Sequence, residues 1–443
     1  MKKLSLMFLL LVAGLYFTAC GDDSDVPANG YIETTEEGSA TYVLKGYEDA
    51  SDGFNVFEGE GFEKSFYILE KKFTGSAWSF VKAASGPLSA MAEIPADNVW
   101  QVDMDVVEGA NYWARNKGMT KYTFMKMRVA YIEGNNVALE YAIAGTKDRD
   151  LSENENANQP QSDNVSMTAL EVPFLNPDHT YADYFVTYKD KQVQNFVLEY
   201  VPEKKHSAWV AFCFDSVTSQ DNVKRTDAWN QDDPNIDNSV EPNESMHKSD
   251  GYDKGHLCAS EDRVYCEDAN KQTFYYANIS PQIASFNQKY WMYLEQQVQK
   301  WGRSTREGTY DKVYVVKGGT LNKLLTNFTG TMKGGDGKYP ETDAEGFTIH
   351  GLAVPAYYYM AILAEKGDTY HAIAFLVPHS ELLPQKPTAD DFQVYAVSID
   401  KLEQETGIDF FCNLPDVIED EVEKLTDITR KKGDFPLVES LPF

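Results

Sequence analysis

The chain has 443 residues, a formal net charge of −29 and an aromatic content of 13%, with 27 tyrosines. Its length exceeds the usual range of a single domain, so we expect two domains, and its ordinary soluble composition with many aromatic residues favours a mixed α and β class. Taken alone, so acidic a total charge argues against binding to nucleic acid, because repulsion between like charges lowers the rate at which the protein encounters a polyphosphate.

The N-terminus has the features of a signal peptide over residues 1–20, namely two lysines, an apolar run too short to span a membrane comfortably, and a small residue before Cys20. The last four residues of this segment, Phe-Thr-Ala-Cys, resemble a lipobox, so we expect Cys20 to be lipidated and to anchor the mature chain to a membrane. A plain secretory signal with an unrelated cysteine is the alternative. Residues 21–29 form an acidic tether that resembles the export tag of some bacterial surface lipoproteins. The predicted location is therefore the bacterial outer membrane, at the cell surface.

Four cysteines follow Cys20, an even number in what would be an oxidising compartment: Cys213, Cys258, Cys266 and Cys412. They permit two disulfides in any of three pairings, and the sequence does not choose among them. A zinc site built on His256, Cys258 and Cys266 has the wrong spacing for a familiar structural zinc motif.

The first globular domain, residues 30–144, consists of short apolar and Thr/Val-rich runs separated by Gly, Asn, Asp or Pro, which predicts five or more strands and a β-sandwich. It holds no acid, base or metal constellation. Its tryptophans, Trp78, Trp100 and Trp113, suit core packing, with a platform for glycans as the alternative. Residues 145–167 are polar and almost free of apolar side chains, which predicts a flexible linker and a domain boundary.

The second domain, residues 168–443, opens with two or three predicted strands between residues 184 and 217. A polar loop with Arg225 follows them. A further apolar run predicts a strand and turn at 311–321. Nine basic residues surround the central stretch 251–301 in sequence, so a local basic groove is compatible with the acidic total charge: Lys224, Arg225, Lys248, Lys254, Arg263, Lys289, Lys300, Arg303 and Arg306.

The central stretch itself begins with Asp253-Lys254-Gly255-His256, which we interpret as a tight turn in which Gly255 adopts a backbone conformation barred to other residues. From Asn287 onward, apolar residues at helical spacing predict a helix of about four turns. Asn287 and Glu295 lie off its apolar face. Because eight residues rise roughly 12 Å along a helix, these two side chains could share a hydrated ion more easily than a bare one. That favours magnesium, which tends to keep its waters.

Four segments in order, DKGH at residue 253, NISPQ at 278, FNQ at 286 and LE at 294, resemble the DNA/RNA non-specific endonucleases, a family with a ββα-metal (His-Me finger) site. The resemblance spans roughly residues 170–430, and it implies further strands at 351–367 and 370–378 and a short helix before the last apolar run. It implies an α+β fold: a ββα-metal nuclease domain with a central antiparallel sheet, here preceded by the smaller, sandwich-like all-β domain. The family pattern has arginine at the position of Lys254, so the charge is kept and the planar fork of arginine is lost.

The resemblance also implies a role for each matching residue. His256 is the expected general base, Asn287 the ligand of a Mg²⁺ or Mn²⁺ ion, and Glu295 the holder of one of its waters. Asn278 is expected to orient the substrate or a neighbouring loop. Arg225 matches the position of an arginine that contacts the scissile phosphate, and Lys254 is expected to bind substrate as well.

Two further positions depart from the family pattern. Gln299 stands where an arginine is common, which puts secondary phosphate contacts in doubt, although Lys300 or Arg303 could substitute. Met360 stands where a lysine is usual.

The predicted function is hydrolysis of DNA and RNA to oligonucleotides with 5′-phosphates by a metal-dependent, sugar-non-specific endonuclease. One alternative is a catalytically silent lipoprotein that binds nucleic acid or another surface ligand on a nuclease fold. Another keeps the chemistry but acts on a different extracellular polymer. A homodimer is left open.

Overall fold

A computed structural model describes residues 39–48, 65–75, 77–159, 165–229 and 232–424. The predicted signal peptide with Cys20 and the acidic tether lie outside these residues and stay predictions. The chain divides into two compact units, residues 1–118 with 122–147 and residues 119–121 with 148–443. Among the described residues, no helix combines the length and apolar character that a membrane crossing requires.

The first unit is built from two sheets over one apolar core. A five-stranded sheet has the order β1-β8-β7-β6-β4, and a three-stranded sheet has the order β2-β3-β5. The strands are β1 (Ala40–Lys45), β2 (Tyr67–Leu69), β3 (Lys72–Thr74), β4 (Trp78–Ala83), β5 (Met104–Asp105), β6 (Asn111–Lys117), β7 (Lys121–Glu133) and β8 (Asn136–Asp148). Aromatic side chains from both sheets, among them Phe73 and Phe80, meet in the core with their rings 5.6 Å apart.

Strand β6 of this unit does not have the apolar sequence expected of a buried strand. Its sequence NYWARNK is half polar, but Asn111 and Asn116 are both fully buried, so polarity was a poor guide to exposure here. Two of the three tryptophans, Trp78 and Trp113, are 2% and 4% exposed, and Trp100 is half-buried beside Phe124. These tryptophans pack within the unit, which excludes an exposed platform built from all three.

The second unit is organised on a seven-stranded antiparallel sheet of order β17-β16-β15-β14-β11-β10-β9. Its strands are β9 (Thr180–Tyr188), β10 (Lys191–Val201), β11 (His206–Phe214), β14 (Lys312–Gly319), β15 (Tyr357–Lys366), β16 (Thr369–Pro378) and β17 (Ala396–Val397). A separate two-stranded hairpin pairs β12 (Asp253–His256) with β13 (Ile279–Gln282). The mixed α and β class, with mostly antiparallel sheets and few helices, is thereby confirmed.

Helices cover both faces of the large sheet. They are α1 (Glu267–Gln272), α2 (Met292–Arg303), α3 (Ala389–Gln393), α4 (Ile399–Thr406) and α5 (Asp416–Glu423). Because alternate strand residues point to opposite faces, Val313 and Val315 of β14 pack with Leu294 and Val298 of α2, whereas the next-door Val316 packs with α4 and α5. The sheet therefore separates an α2 face from an α4/α5 face.

Part of the predicted linker makes defined contacts within the second unit. Asn154 donates to the backbone carbonyl of Leu414, and Asn158 donates to the carbonyl of Pro173. The Arg149 guanidinium pairs with Glu421 of α5 at 3.1 Å. Residues 145–148 complete β8. The polar composition that predicted flexibility here supplies hydrogen bonds along the surface of the unit.

All four cysteines of the second unit are free thiols in the described part of the chain, so neither of the two disulfides that the sequence permits is present there. Cys258 and Cys412 are fully buried, and burial raises the pKa of the Cys258 thiol to about 12. The even cysteine number was therefore a poor guide to pairing, because buried cysteine also serves as a small apolar side chain.

Candidate active site

A cleft of about 560 Å³ lies on the α2 face of the sheet and gathers residues from distant parts of the sequence. Five of the predicted site residues line it: Arg225, Lys254, His256, Asn287 and Glu295. They come from a loop, from β12 and from the helical stretch 286–303, so the fold brings together residues that are up to 70 positions apart.

His256 is the last residue of β12 and is 9% exposed. The rings of Trp229 and Phe274 lie 5.4 and 5.0 Å from the imidazole, and Nε2 has no hydrogen-bond partner among the described residues. Burial lowers the pKa of His256 to about 3, and the positive charges of Arg225 and Lys254 act in the same direction. The imidazole is therefore neutral at pH 7 and has a free nitrogen with which to accept a proton.

Glycine is needed at position 255, but not for the unusual backbone conformation predicted from the sequence. It does not have a positive φ angle; it sits within a regular strand opposite Ser280. A Cβ atom at this position would lie 2.2 Å from Oε1 of Gln282, which is fully buried. Glycine is required here because the Gln282 side chain crosses the strand at close range.

Asn287 lies in a π-helical segment, Phe286–Trp291, that leads directly into α2. Such segments are rare and occur most often at functional sites. Its Nδ2 donates to Oδ2 of Asp253 at 3.0 Å, and Nε2 of Gln288 donates to the same oxygen at 2.8 Å. Because the amide nitrogen is engaged in this way, the Asn287 oxygen is the atom available to a cation, and Asp253 orients it.

Glu295 belongs to a buried charge network that the sequence did not predict. Nζ of Lys317 lies 3.2 Å from Oε1 of Glu295 and 2.6 Å from Oδ2 of Asp262, and the lysine and aspartate side chains are fully buried. Burial raises the pKa of Glu295 above its ordinary value, against the opposing charge of Lys317. Burial alone would lower the pKa of Lys317, yet Asp262 and Glu295 together hold it above its usual range. Lys317 is therefore a permanent cation beneath the cleft.

Gln299 is a member of the same network. Its Nε2 donates to Oδ1 of Asp262 at 2.9 Å, and its side chain is 4% exposed. Asp262 thus accepts from a lysine and from a glutamine. Sequence reasoning considered Gln299 only as a missing arginine; the available signal for the network was a lysine within the otherwise apolar run VYVVKGG.

Asn278 lies behind the cleft and does not line it. It is fully buried, its Oδ1 accepts from the backbone N–H of Cys258, and its Nδ2 donates to the carbonyls of Cys258 and Thr273. These bonds hold the chain immediately after His256. Of its two predicted roles, the geometry matches the orientation of a neighbouring loop and gives no contact to substrate, so we correct its assignment from catalytic to positioning residue.

The cationic lining of the cleft is smaller than the sequence suggested. Arg225, Lys254 and Arg303 line it, whereas Arg263 is fully buried between Phe212 and Phe214. Arg225 pairs with Asp227 at 2.6 Å and remains half-exposed, and the Lys254 ammonium lies 3.5 Å from the centre of the Trp229 ring. Glu261, which pairs with Arg303, and Glu295 also line the cleft, so its excess of positive charge is small. Arg225 and Lys254 still present cations to a polyanionic substrate in a strongly acidic chain.

Comparisons with known proteins point to one class of enzyme. The family model described as DNA/RNA non-specific endonuclease matches residues 176–417, which include every residue of the cleft. Nuclease C1 of Cunninghamella echinulata var. echinulata is 29% identical over 229 residues, which cover 50% of this chain and 82% of that protein. The mitochondrial nuclease EXOG of Danio rerio is 28% identical, with coverages of 49% and 59%.

A nuclease of Nostoc sp. (strain PCC 7120 / SAG 25.82 / UTEX 2576) is 27% identical, with coverages of 52% and 76%. Among solved structures, a chain of the EndoG/EndoGI complex matches with a TM-score of 0.39 and 24% identity, over 53% of this chain and 87% of that one.

Proposed function

The chain belongs to the DNA/RNA non-specific endonuclease family, and from this membership we propose that it hydrolyses phosphodiester bonds of DNA and RNA to oligonucleotides with 5′-phosphates. The chain is an endonuclease of a metal-dependent family that acts on nucleic acids. To this we add the residues that carry out the cleavage and the bond that breaks, which is the one between phosphorus and the 3′ oxygen. The proposal is carried by one observation, namely that His256, whose Nε2 has no hydrogen-bond partner among the described residues, lines the same cleft as Asn287 and the cations Arg225 and Lys254.

His256 acts as the general base in this mechanism. Its free Nε2 takes a proton from the attacking water, whose oxygen forms a bond to phosphorus while the bond from phosphorus to the 3′ oxygen breaks. The 3′ oxygen leaves and takes up a proton, so the products are a 3′-hydroxyl and a 5′-phosphate. The rings of Trp229 and Phe274 pack against the imidazole, and this burial keeps it neutral before the water attacks.

The donor set fits a hydrated divalent ion. Asp253 engages the Asn287 amide nitrogen, which leaves one neutral oxygen ligand at the cleft, and Glu295 lies two helical turns further along the same helical stretch. A bound Mg²⁺ or Mn²⁺ would supply Lewis-acid polarisation of the phosphate and would offset charge on the leaving oxygen. Asn287 would hold the ion, and the Glu295 carboxylate would accept hydrogen bonds from its waters.

The remaining cations bind the phosphodiester backbone. The planar guanidinium of Arg225 matches two phosphate oxygens, provided that it exchanges its exposed partner Asp227 for the substrate. Lys254, held over Trp229, adds a point charge. Because these contacts reach the backbone and no base edge, they support cleavage without sequence preference.

The direct test is digestion of plasmid DNA and of RNA by the purified protein, with magnesium and with a chelator. We expect His256→Ala and Asn287→Ala to lower the cleavage rate by about 10²–10⁴-fold on both substrates. His350→Ala is the matched control, because His350 is an exposed histidine outside the cleft. Undiminished cutting by His256→Ala would refute the mechanism. Salt-sensitive DNA binding by the unaltered protein without turnover in magnesium would instead support the silent binding protein.

A further inference from the structure

The α4/α5 face of the second unit carries a cluster of five carboxylates far from the cleft in sequence. We call it the acidic cluster, and it consists of Asp400 and Glu403 of α4, Asp409 of the following loop, and Glu419 and Glu423 of α5. Two groups of three share Glu423: in each, carboxylate oxygens from all three residues lie within 4.8 Å of one another. Oxygens that surround a single calcium ion at 2.3–2.6 Å can be no further apart than about 5 Å.

Glu423 connects the two groups and is the most unusual member. Glu423 is only 8% exposed, and its Oε1 is buried with no hydrogen-bond partner among the described residues. A buried carboxylate oxygen without a donor carries a large desolvation cost, and native proteins rarely leave one unsatisfied. Something that donates or coordinates is therefore expected at this oxygen.

The other members are only partly satisfied by the protein. The Nδ2 of Asn156 donates to Asp409 and to Glu419, and the backbone N–H of Phe410 donates to Glu403. Among the ion pairs of the described residues, none reaches a carboxylate of the acidic cluster. Burial raises the pKa of Glu423 to about 10 and that of Glu403 to about 8, and in both cases neighbouring carboxylates add to the effect.

We propose that the acidic cluster binds a calcium ion through Glu423 and the carboxylates around it. Calcium accepts six to eight oxygen ligands in irregular geometry, which suits carboxylates that come from two helices and a loop. Magnesium demands near-octahedral geometry and keeps its waters, so it fits this crowded anionic site less well. The ion neutralises the mutual repulsion of the carboxylates and satisfies the buried Glu423 oxygen.

The role of this ion is structural. The acidic cluster lies on the two helices that cover the α4/α5 face, whereas the cleft lies on the α2 face, so the ion does not reach the reacting phosphate. It links α4 to α5 and, through Asn156, to the segment that precedes β9. Calcium is thus expected to raise the stability of the second unit without taking part in cleavage.

The test uses the Asn287→Ala protein, in which the proposed active-site ligand is removed, so that its outcome is independent of the catalytic mechanism. After treatment with a chelator, the protein is titrated with calcium and with magnesium by calorimetry and by thermal unfolding. We expect one calcium ion to bind per chain and the Tm of the second unit to rise by about 5 °C in millimolar calcium, with a smaller rise in magnesium.

Glu423→Gln is expected to fold, because it keeps the size and shape of the side chain, and to lose the calcium-dependent rise in Tm, because an amide cannot supply the negative charge of a carboxylate. Asp420→Asn is the matched control: Asp420 lies on the same helix, is exposed, and pairs with Lys424, so this variant should keep the full rise. A protein that binds no calcium and whose Tm ignores the ion would overturn the proposal. So would a calcium response that arises only after residues 425–443 are deleted, because the basic run Arg430-Lys431-Lys432 would then be the natural partner of the cluster.

Discussion

The second unit buries carboxylates on both faces of its sheet, but the groups that balance their charge differ between the two faces. Beneath the cleft, Asp262 and Glu295 share the ammonium of Lys317, and Gln299 donates a further hydrogen bond. In the acidic cluster, five carboxylates meet with amide and backbone donors but, among the described residues, with no ion pair to any of them.

The difference separates two ways of keeping a buried carboxylate charged. An internal lysine supplies a fixed cation that is present whenever the protein is folded, so this cation does not depend on the metal ions in the medium. An external cation makes the charge balance depend on its concentration. The catalytic face is thereby independent of the medium in this respect, whereas the opposite face is expected to respond to it.

The largest effect is expected when the internal cation is removed. Lys317→Met would leave Asp262 and Glu295 buried without their cation and make the cleft network resemble the acidic cluster. We expect a loss of about 3–5 kcal/mol in the free energy of unfolding, together with a loss of cleavage activity. Denaturant unfolding, followed by a signal from the second unit, measures the first and the plasmid assay the second.

Lys312→Met is the control for this variant, because Lys312 lies on the same strand, is half-exposed and reaches Glu365 only at 4.0 Å. It should change stability by less than about 1 kcal/mol. Equal effects of the two substitutions would mean that the buried network contributes no more than a surface pair.

A smaller effect is expected for Asp253, a carboxylate satisfied by two amides. Asp253→Ala would free the Asn287 amide to rotate, so we expect a 10–100-fold increase in the magnesium concentration needed for half-maximal cleavage, with little change in Tm. Gln288→Ala removes the second amide and keeps the bond between Asp253 and Asn287, so its magnesium dependence should stay near that of the unaltered protein. If Asp253→Ala leaves the magnesium dependence unchanged, Asp253 does not orient the ligand.

The smallest expected effect is that the His256 imidazole does not titrate between pH 8 and pH 5. Burial and the cations Arg225, Lys254 and Lys317 lower the pKa of His256 to about 3, so its imidazole should stay neutral from pH 8 down to pH 5. A free histidine of pKa about 6.5 would be roughly 97% protonated at pH 5. NMR of histidine labelled at Cε1, with the His256 signal assigned by its loss in His256→Gln, measures this directly. A midpoint near pH 6.5 for that signal would contradict the assignment of a permanently neutral base.

The four motifs DKGH, NISPQ, FNQ and LE, which occur in this order, made much of the catalytic face predictable from the sequence. The helix that follows Asn287 and the strand around residues 312–319 were expected from the local spacing of apolar residues, and the strands around residues 357–378 from the resemblance. The DKGH segment was expected to be a tight turn and is instead strand β12. The resemblance to the endonuclease family placed His256, Asn287, Glu295 and Arg225 at one site, and all four line one cleft.

Features that depend on distant pairs escaped prediction. Lys317 and Asp262 are 55 residues apart, and nothing local indicates that they meet. The π-helical start of the helix differs from an α-helix by one residue per turn, which the apolar spacing does not resolve. The predicted reason for Gly255, a positive φ angle, was also wrong. A positive φ angle and a close approach by the Gln282 side chain both require glycine, so the sequence does not distinguish them.

The position of Lys317 on β14 also bears on when activity arises during synthesis. Strand β14 pairs with β11 on one side and β15 on the other, so the network under the cleft forms only after the ribosome has made residue 317 and the chain has closed a long loop back to β11. A shorter nascent chain carries His256, Asn287 and Glu295 without the cation that supports them. We therefore expect a nascent chain to gain cleavage activity only after β14 has been translated.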